Sequence, residues 1–411
     1  MKISKIIPYL IITITLPSIA QWLNFDTNKL TAVWWTLYFF IILIFIKGRK
    51  VYSRGQALPR EIRLFIYVVL AEAIYGIFIS KGYWDFKTLI GNLFTYLLPL
   101  SFFVFSNPKI LANTIHKWFR YALIAFFLFI PIMQPEAPAK YLIPIMFVVL
   151  FLKAIPARNK LIVLLFFSFI FIYGSLGARA SVIKYSIALL MGISFYTGIY
   201  KRVSLLKITH FLMMLVPFLF LIYASLNIFN IFKLGDYISG ISDLEVKNSY
   251  NTSKTEKLGS DTRTFIYVEA FSSAIKNNYI IQGHSLARGY ESVSFADTDF
   301  YNRGERYDSE VSIINIFTHM GIIGVFLYFL IFFSASNKAI NKSNNSYMKM
   351  LGIYVSFRWV FAWVEDFSRF DLNYLFLWIM IGMCFSISFR QMTDHEFEQW
   401  VKSLFGIKKL V

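Results

Sequence analysis

Long apolar runs separated by short polar stretches set the rhythm of this chain from its first residues to about residue 390. Runs such as IIPYLIITITLPSIA and VSIINIFTHMGIIGVFLYFLIFF are long enough to cross about 30 Å of hydrocarbon. The pattern predicts about twelve helices, near residues 6–22, 30–46, 63–80, 88–105, 118–133, 141–155, 161–176, 181–200, 208–230, 311–334, 348–365 and 372–389. The expected fold is an all-α polytopic integral membrane protein. It divides into nine helices over 1–231, a large polar loop over 232–308, three helices over 309–390 and a tail over 391–411, all one membrane domain.

The cations orient this arrangement. With the N-terminus in the cytoplasm, the inner loops KGRKVYSRGQALPREIR, NPKILANTIHKWFR, LKAIPARNK, KRVSLLK and SNKAINKSNNSYMK are all basic, as is the tail. The outer loops QWLNFDTNK, KGYWDFK, QPEAPAK and GSLGARAS carry far fewer cations. This alternation follows the positive-inside rule and puts both termini in the cytoplasm. Lys2 and Lys5, an apolar run and PSIA before Gln21 also fit a cleaved secretory signal. An uncleaved first span explains the same residues and leaves the rest of the topology unchanged.

Composition agrees. Of the 411 residues 57% are hydrophobic and only 16% charged, too few to cover a soluble core of this size. The net charge of +18 lies in loops and not on a basic helix or stripe, which argues against nucleic acid. The single cysteine, Cys384, lies in an apolar run and excludes a disulfide framework. The chain lacks a Walker loop, a dinucleotide fingerprint, HExxH and GxSxG, and its five histidines are scattered. No cofactor and no metal is expected. Asp297 and Asp299 have DxD spacing, but no nucleotide-binding pattern surrounds them.

The chemistry concentrates in the outer loop. Its stretch GHSLARGYESVSFADTDFYNRGERYDSE runs from Gly283 to Glu310 and abuts an apolar run. Before it, TRTFIYVEAFSSAIK reads as an amphipathic helix over 262–276, with Asp261 available as N-cap. Arginine forks suit phosphate oxygens, so Arg179, Arg263 and Arg288 are candidates for holding an anion. Arg303 and Arg306 also fit local ion pairs on a solvated loop. Glu310, one step outside an apolar span, is a candidate general base, and equally a helix N-terminal acid complementing the dipole. His284 sits in a turn and His319 one turn into a span. Glu72 and Arg358 are costly inside a membrane and should face the bundle interior. Arg358, Glu365 and Asp366 fall within about two turns and are expected to line one outward cleft, with Tyr290, Trp359 and Trp363 as candidate sugar-stacking rings.

Three segments resemble the O-antigen polymerase and ligase superfamily of bacterial surface-polysaccharide assembly. GSLGARASVIKYSIALLMG is similar to its outward arginine loop. DTRTFIYVEAFSSAIKNNYIIQGHSLARGY is similar to its arginine-bearing amphipathic helix and Gly-centred turn, and SEVSIINIFTHMGIIGVFLYFLIFF to its span with an early Gly-x-x-Gly. The resemblance implies a metal-independent glycosyltransferase at the outer face of the inner membrane. It would transfer a growing glycan from undecaprenyl diphosphate to the terminal sugar of a lipid-linked repeat unit of O-antigen, capsule or exopolysaccharide. Arg179, Arg263 and Arg288 would hold the diphosphate and Glu310 would be the base. His284, Tyr290, Arg306, Arg358, Glu365 and Asp366 would contact substrate. The implied partners are the lipid-linked oligosaccharide, membrane lipid, a chain-length regulator and a flippase. Ligases of the superfamily usually carry a histidine at the place of Glu310, which favours polymerase over ligase. A flippase of lipid-linked sugars would need a polar route through both halves of the bundle, whereas the ionisable residues cluster outside the membrane and in the late spans. A mannosyltransferase-type enzyme would need acids in the first external loop, where only Asp26 stands.

Overall fold

The computed structural model describes residues 3–20, 22–23, 30–52, 57–173, 179–237, 245–247, 255–257, 261, 263–294 and 304–406. Among these, seven helices are long and apolar enough to cross a membrane: Thr31–Lys50, Arg60–Ile79, Tyr83–Phe105, Pro108–Ile132, Ala180–Thr197, Val203–Ser225 and Ser312–Asn341. Their outer faces carry bare Phe78, Leu128, Phe211 and Phe326. Apolar surface this extensive is stable against hydrocarbon and costly against water. The chain is an all-α protein built for a membrane.

The remaining predicted spans take other forms. The run expected as one helix over 141–155 is divided into helices Ala137–Tyr141 and Ile143–Val149 and a tight turn over Leu152–Ala154. Pro144 has no amide hydrogen to continue the preceding turn. Seven α-helical residues advance only about 10 Å, so this buried run is not the single continuous helix expected. Ala157–Tyr173, Ser346–Phe361 and Leu372–Phe385 are helical but shorter than the seven. Every residue of Leu372–Phe385 is buried, which makes it the central helix of the bundle. The amino-terminal helix is tied to it where the Leu372 amide donates to Ser18 Oγ at 2.7 Å.

The polar loop is not simply external. Its turn over residues 279–290 is packed into the bundle, with Ser285, Leu286 and Ala287 fully buried. It meets the Ser312–Asn341 helix at Gly321, where φ 61° and ψ −160° break the helix. The broken backbone is completed by the turn: the Ile322 amide donates to the Ile280 carbonyl at 2.9 Å, and the His284 amide to the Thr318 carbonyl at 2.7 Å. Irregular backbone at such depth persists only where protein satisfies its hydrogen bonds. A Cβ on Gly321 would stand 2.2 Å from the Ile281 carbonyl oxygen, and one on Gly283 would stand 2.4 Å from the Met320 amide. Two glycines let two backbones touch, and this joint fixes the loop against the helix.

The tail folds too. Thr393 and Glu396 form a capping box at the start of Asp394–Leu404. Phe397, Trp400 and Leu404 of this amphipathic helix are buried, and Trp400 Nε1 donates to the Pro108 carbonyl at 2.9 Å.

Candidate functional site

Three pieces of chain meet where the Ser312–Asn341 helix begins. The first is the amphipathic helix, which forms over Thr264–Lys276. Asp261 Oδ1 accepts from the Arg263 and Thr264 amides, but the N-cap position is Arg263, two residues after the expected Asp261, and it makes no side-chain cap bond. Tyr267 anchors this helix by donating to the Trp363 carbonyl at 2.7 Å. The second piece is a short antiparallel ribbon pairing Tyr290 with Arg306 and Glu291 with Glu305. Glu269 fastens the ribbon to the helix by accepting from Ser292 Oγ and the Ser294 amide. The third is the turn over residues 362–371. It receives the first amides of the kinked helix, Ser312 onto the Glu365 carbonyl and Ile313 onto the Ala362 carbonyl.

These supports gather an open charge cluster. Arg263 Nη2 lies 3.9 Å from Glu310 Oε2, and Arg306 Nη2 lies 3.5 Å from Glu310 Oε1. Arg306 Nη1 also donates to the Tyr290 hydroxyl at 3.4 Å. The side chain of Glu310 is 53% exposed.

Asp308, two residues before Glu310, and Arg369, in the turn over residues 362–371, are both exposed to solvent. Arg369 Nε donates to Asp366 Oδ2 at 3.2 Å. Burial raises the Asp308 carboxyl above the ordinary aspartate value and Asp366 adds to this, against the pull of Arg369 and Arg306. Asp366 and Asp308 in turn hold the Arg369 guanidinium above its usual value, against the effect of burial.

Other expected residues sit differently. Arg288 is closed in a two-pronged fork on Glu305, whose carboxylate also receives the Gly289 amide. Arg358 does not line the cleft: it is fully enclosed, donates to Asn373 Oδ1 at 3.2 Å and faces the Phe367 ring at 4.4 Å. Glu365 is likewise turned inward, paired with buried Lys184 at 2.7 Å. Of the three residues expected to share one cleft, only Asp366 pairs with a solvent-exposed partner, Arg369. His284 Nδ1 hydrogen-bonds the Gly289 carbonyl at 2.7 Å and its ring stacks on Tyr279 at 4.4 Å. His319 is enclosed between Asn92 Nδ2 at 3.2 Å and the Tyr96 hydroxyl at 2.9 Å. Glu72 is buried in the Arg60–Ile79 helix.

Arg179 begins the helix Arg179–Ser194, and its side chain lies outside the described residues, as do Asp297, Asp299 and Arg303. Among the described residues, no three His, Cys, Asp or Glu side chains come together as a metal-holding group.

Beside the cluster lies an apolar groove of about 340 Å³, between the Val203–Ser225 helix and the amphipathic helix. Phe220, Phe271, Ile275 and Trp363 line its walls, and Thr264, next to Arg263, lines it as well. Asn230 Nδ2 donates to Thr264 Oγ1 at 2.8 Å there. Groove and charge cluster thus meet the chain at consecutive residues, Arg263 at the helix cap and Thr264 at its first turn.

Asp308 and Arg369 were missed from the sequence. Their signal was the density of charge in RGERYDSE and in EDFSRFD, a polar stretch between the last two apolar runs.

Fold and cleft together define a membrane-embedded helical protein with a charged mouth beside an apolar groove. Comparison with family models, with curated proteins and with solved structures finds no match for this chain.

Proposed function

We propose that the protein is a polysaccharide repeat-unit polymerase, transferring a glycan from undecaprenyl diphosphate to the terminal sugar of a second lipid-linked repeat unit. One observation carries this reading: the amphipathic helix places Arg263 in the charged mouth and Thr264 in the wall of the apolar groove. A lipid diphosphate is apolar along its tail and doubly anionic at its head, and it fits both halves at once. The tail replaces lipid in the groove. The head meets Arg263 and Arg306 in the place of exposed Glu310, whose contacts to them are long at 3.9 and 3.5 Å. Fixed guanidinium groups stabilise the charge that develops on the diphosphate as the sugar departs, and this needs no divalent metal.

The reading carries the topology with it. About twelve crossings put both termini in the cytoplasm of a bacterial inner membrane and the 232–308 loop on the outer face, as the distribution of cations favours. Arg179 and Arg288 belong to the proposed anion site as well, Arg288 after its fork with Glu305 opens or by holding the ribbon that carries Arg306. A flippase and a chain-length regulator would be the working partners.

The test uses purified protein and the glycolipid extract of cells from which the gene has been deleted. The protein should lengthen the lipid-linked sugars of that extract in the presence of a metal chelator. Transfer to a non-repeat acceptor without lengthening would replace polymerase by ligase. Absence of any transfer, or full activity in Arg263→Ala, would contradict the reading.

A further inference from the structure

We infer that the end of the bundle away from the charged mouth holds the headgroup of a phospholipid that carries a phosphate and a primary ammonium. This site does not depend on the polymerase reading. The Ser312–Asn341 helix starts at the mouth, and the next helix, Ser346–Phe361, leads back to it. Residues near 346 therefore lie at the opposite end. A cavity of about 360 Å³ opens there, lined by Ser346 and Tyr347, the turn over residues 195–201, Lys153 and the tail helix.

One wall is a stack of rings with charge at both ends. Phe195 stacks on Tyr347 at 4.1 Å, and Tyr347 stacks in turn on Phe397 at 5.0 Å. Lys153 Nζ stands over the Phe195 ring at 5.4 Å. At the next ring, the Tyr347 hydroxyl donates to Glu398 Oε1 at 2.9 Å. Lys201 lines the cavity as a second cation and Asp394 as a second acid. Asp394 is already committed, because it accepts from the Ser346 amide at 2.6 Å and holds the first turn of that helix. Among the described residues, neither lysine forms an ion pair with either acid. Two cations and a working carboxylate thus share one cavity without neutralising each other, and a ligand bearing both signs of charge satisfies all three.

The position selects a lipid over a free zwitterion. The turn over residues 195–201 joins Ala180–Thr197 to Val203–Ser225, two helices long and apolar enough to cross a membrane. Leu190 and Ile193 before the turn, and Leu205 and Ile208 after it, present bare side chains. Exposed Tyr196 at the turn accepts from Lys160 Nζ at 3.1 Å, an arrangement suited to the boundary between hydrocarbon and water. Acyl chains would lie along the bare helix faces, the phosphate beside Lys153 and Lys201, and the ammonium beside Glu398. A headgroup without an amine leaves Glu398 unmatched, and a quaternary ammonium has no N–H to donate.

The experiment gives the purified full chain phosphatidylethanolamine, phosphatidylglycerol or phosphatidylcholine with identical acyl chains. Binding is read by native mass spectrometry and by the rise in melting temperature in detergent. Phosphatidylethanolamine should bind wild type at least about fivefold more tightly than either of the others. Glu398→Gln keeps an oxygen for Tyr347 and should lose the preference over phosphatidylglycerol. Lys153→Ala combined with Lys201→Ala should weaken the binding of all three lipids. Soluble glycerophosphoethanolamine should bind wild type at least about tenfold more weakly than the lipid, since it lacks the chains. Equal binding of the three lipids to wild type, tighter binding of phosphatidylglycerol, or an unchanged preference in Glu398→Gln overturns the assignment. Soluble headgroup binding as tightly as the lipid overturns it too, in favour of a free zwitterion. The two comparisons on wild type decide the matter even where a variant fails to fold.

Discussion

Two arginine-carboxylate groups, Arg288 with Glu305 and the fan of Arg263 and Arg306 around Glu310, share one cleft and are built in opposite ways. The fork on Glu305 is closed, with side chains only 17% and 8% exposed, and it ties the ribbon to the buried turn. The fan is longer, at 3.9 and 3.5 Å, and although its arginines are only 23% and 12% exposed its shared carboxylate is 53% exposed. Enclosed, fully satisfied pairs hold geometry, and breaking one leaves a charge without a partner. Open pairs contribute little to stability and can be exchanged for a ligand. The difference separates the charges that shape this site from those that can work in it.

The buried pair of Lys184 and Glu365 extends that contrast to its limit and gives the largest expected effect. Glu365→Ala leaves an ammonium stranded in the bundle and should cost about 3–5 kcal/mol. Thermal denaturation in detergent measures this, and a melting point near that of wild type would contradict the pairing. Next comes the direct comparison of the two arginine groups. Arg288→Ala should cost about 1–3 kcal/mol through the lost charged hydrogen bonds, and Arg263→Ala no more than about 1 kcal/mol. If Arg263→Ala proves the more destabilising, the division between shaping and working charges is wrong.

Asp308 gives a smaller effect with a definite sign. Its folded carboxyl holds a proton above the ordinary aspartate value of 3.8, so the folded state binds that proton more tightly than the unfolded chain. Its contribution to stability is therefore lost as pH rises from that ordinary value through the raised one. Asp308→Asn should melt no lower than wild type at neutral pH, and its advantage should vanish at the acid end. A variant less stable than wild type at neutral pH would contradict the raised proton affinity of Asp308. The smallest effect belongs to Lys276 and Glu291, a well-exposed pair at 2.7 Å. Removing either charge should change stability by about 0.5 kcal/mol or less.

The same distinction explains what the sequence disclosed. Apolar run length located the helical segments, because hydrocarbon thickness acts on each segment alone. It misled at 141–155, where an equally apolar run is broken at Pro144 and buried against protein. The amphipathic helix was legible from its periodicity, though its N-cap is Arg263 and not Asp261. The insertion of residues 279–290 was not, because it depends on a backbone contact between Gly283 and Gly321, far apart in sequence. Within the site, Arg263, Arg306 and Glu310 were legible as a charge cluster. Arg358 looked equally promising, but composition cannot tell an enclosed guanidinium from an open one.

The central claim is that groove and mouth form one site for a lipid diphosphate. The most direct measurement compares the binding of undecaprenyl diphosphate and undecaprenol to the purified protein, before and after Arg263→Ala combined with Arg306→Ala. The account predicts that the diphosphate binds wild type at least about tenfold more tightly than the alcohol, as about 1.4 kcal/mol of charge recognition requires. That preference should disappear in the double variant while the alcohol still binds. Equal binding of the two lipids to wild type would contradict it.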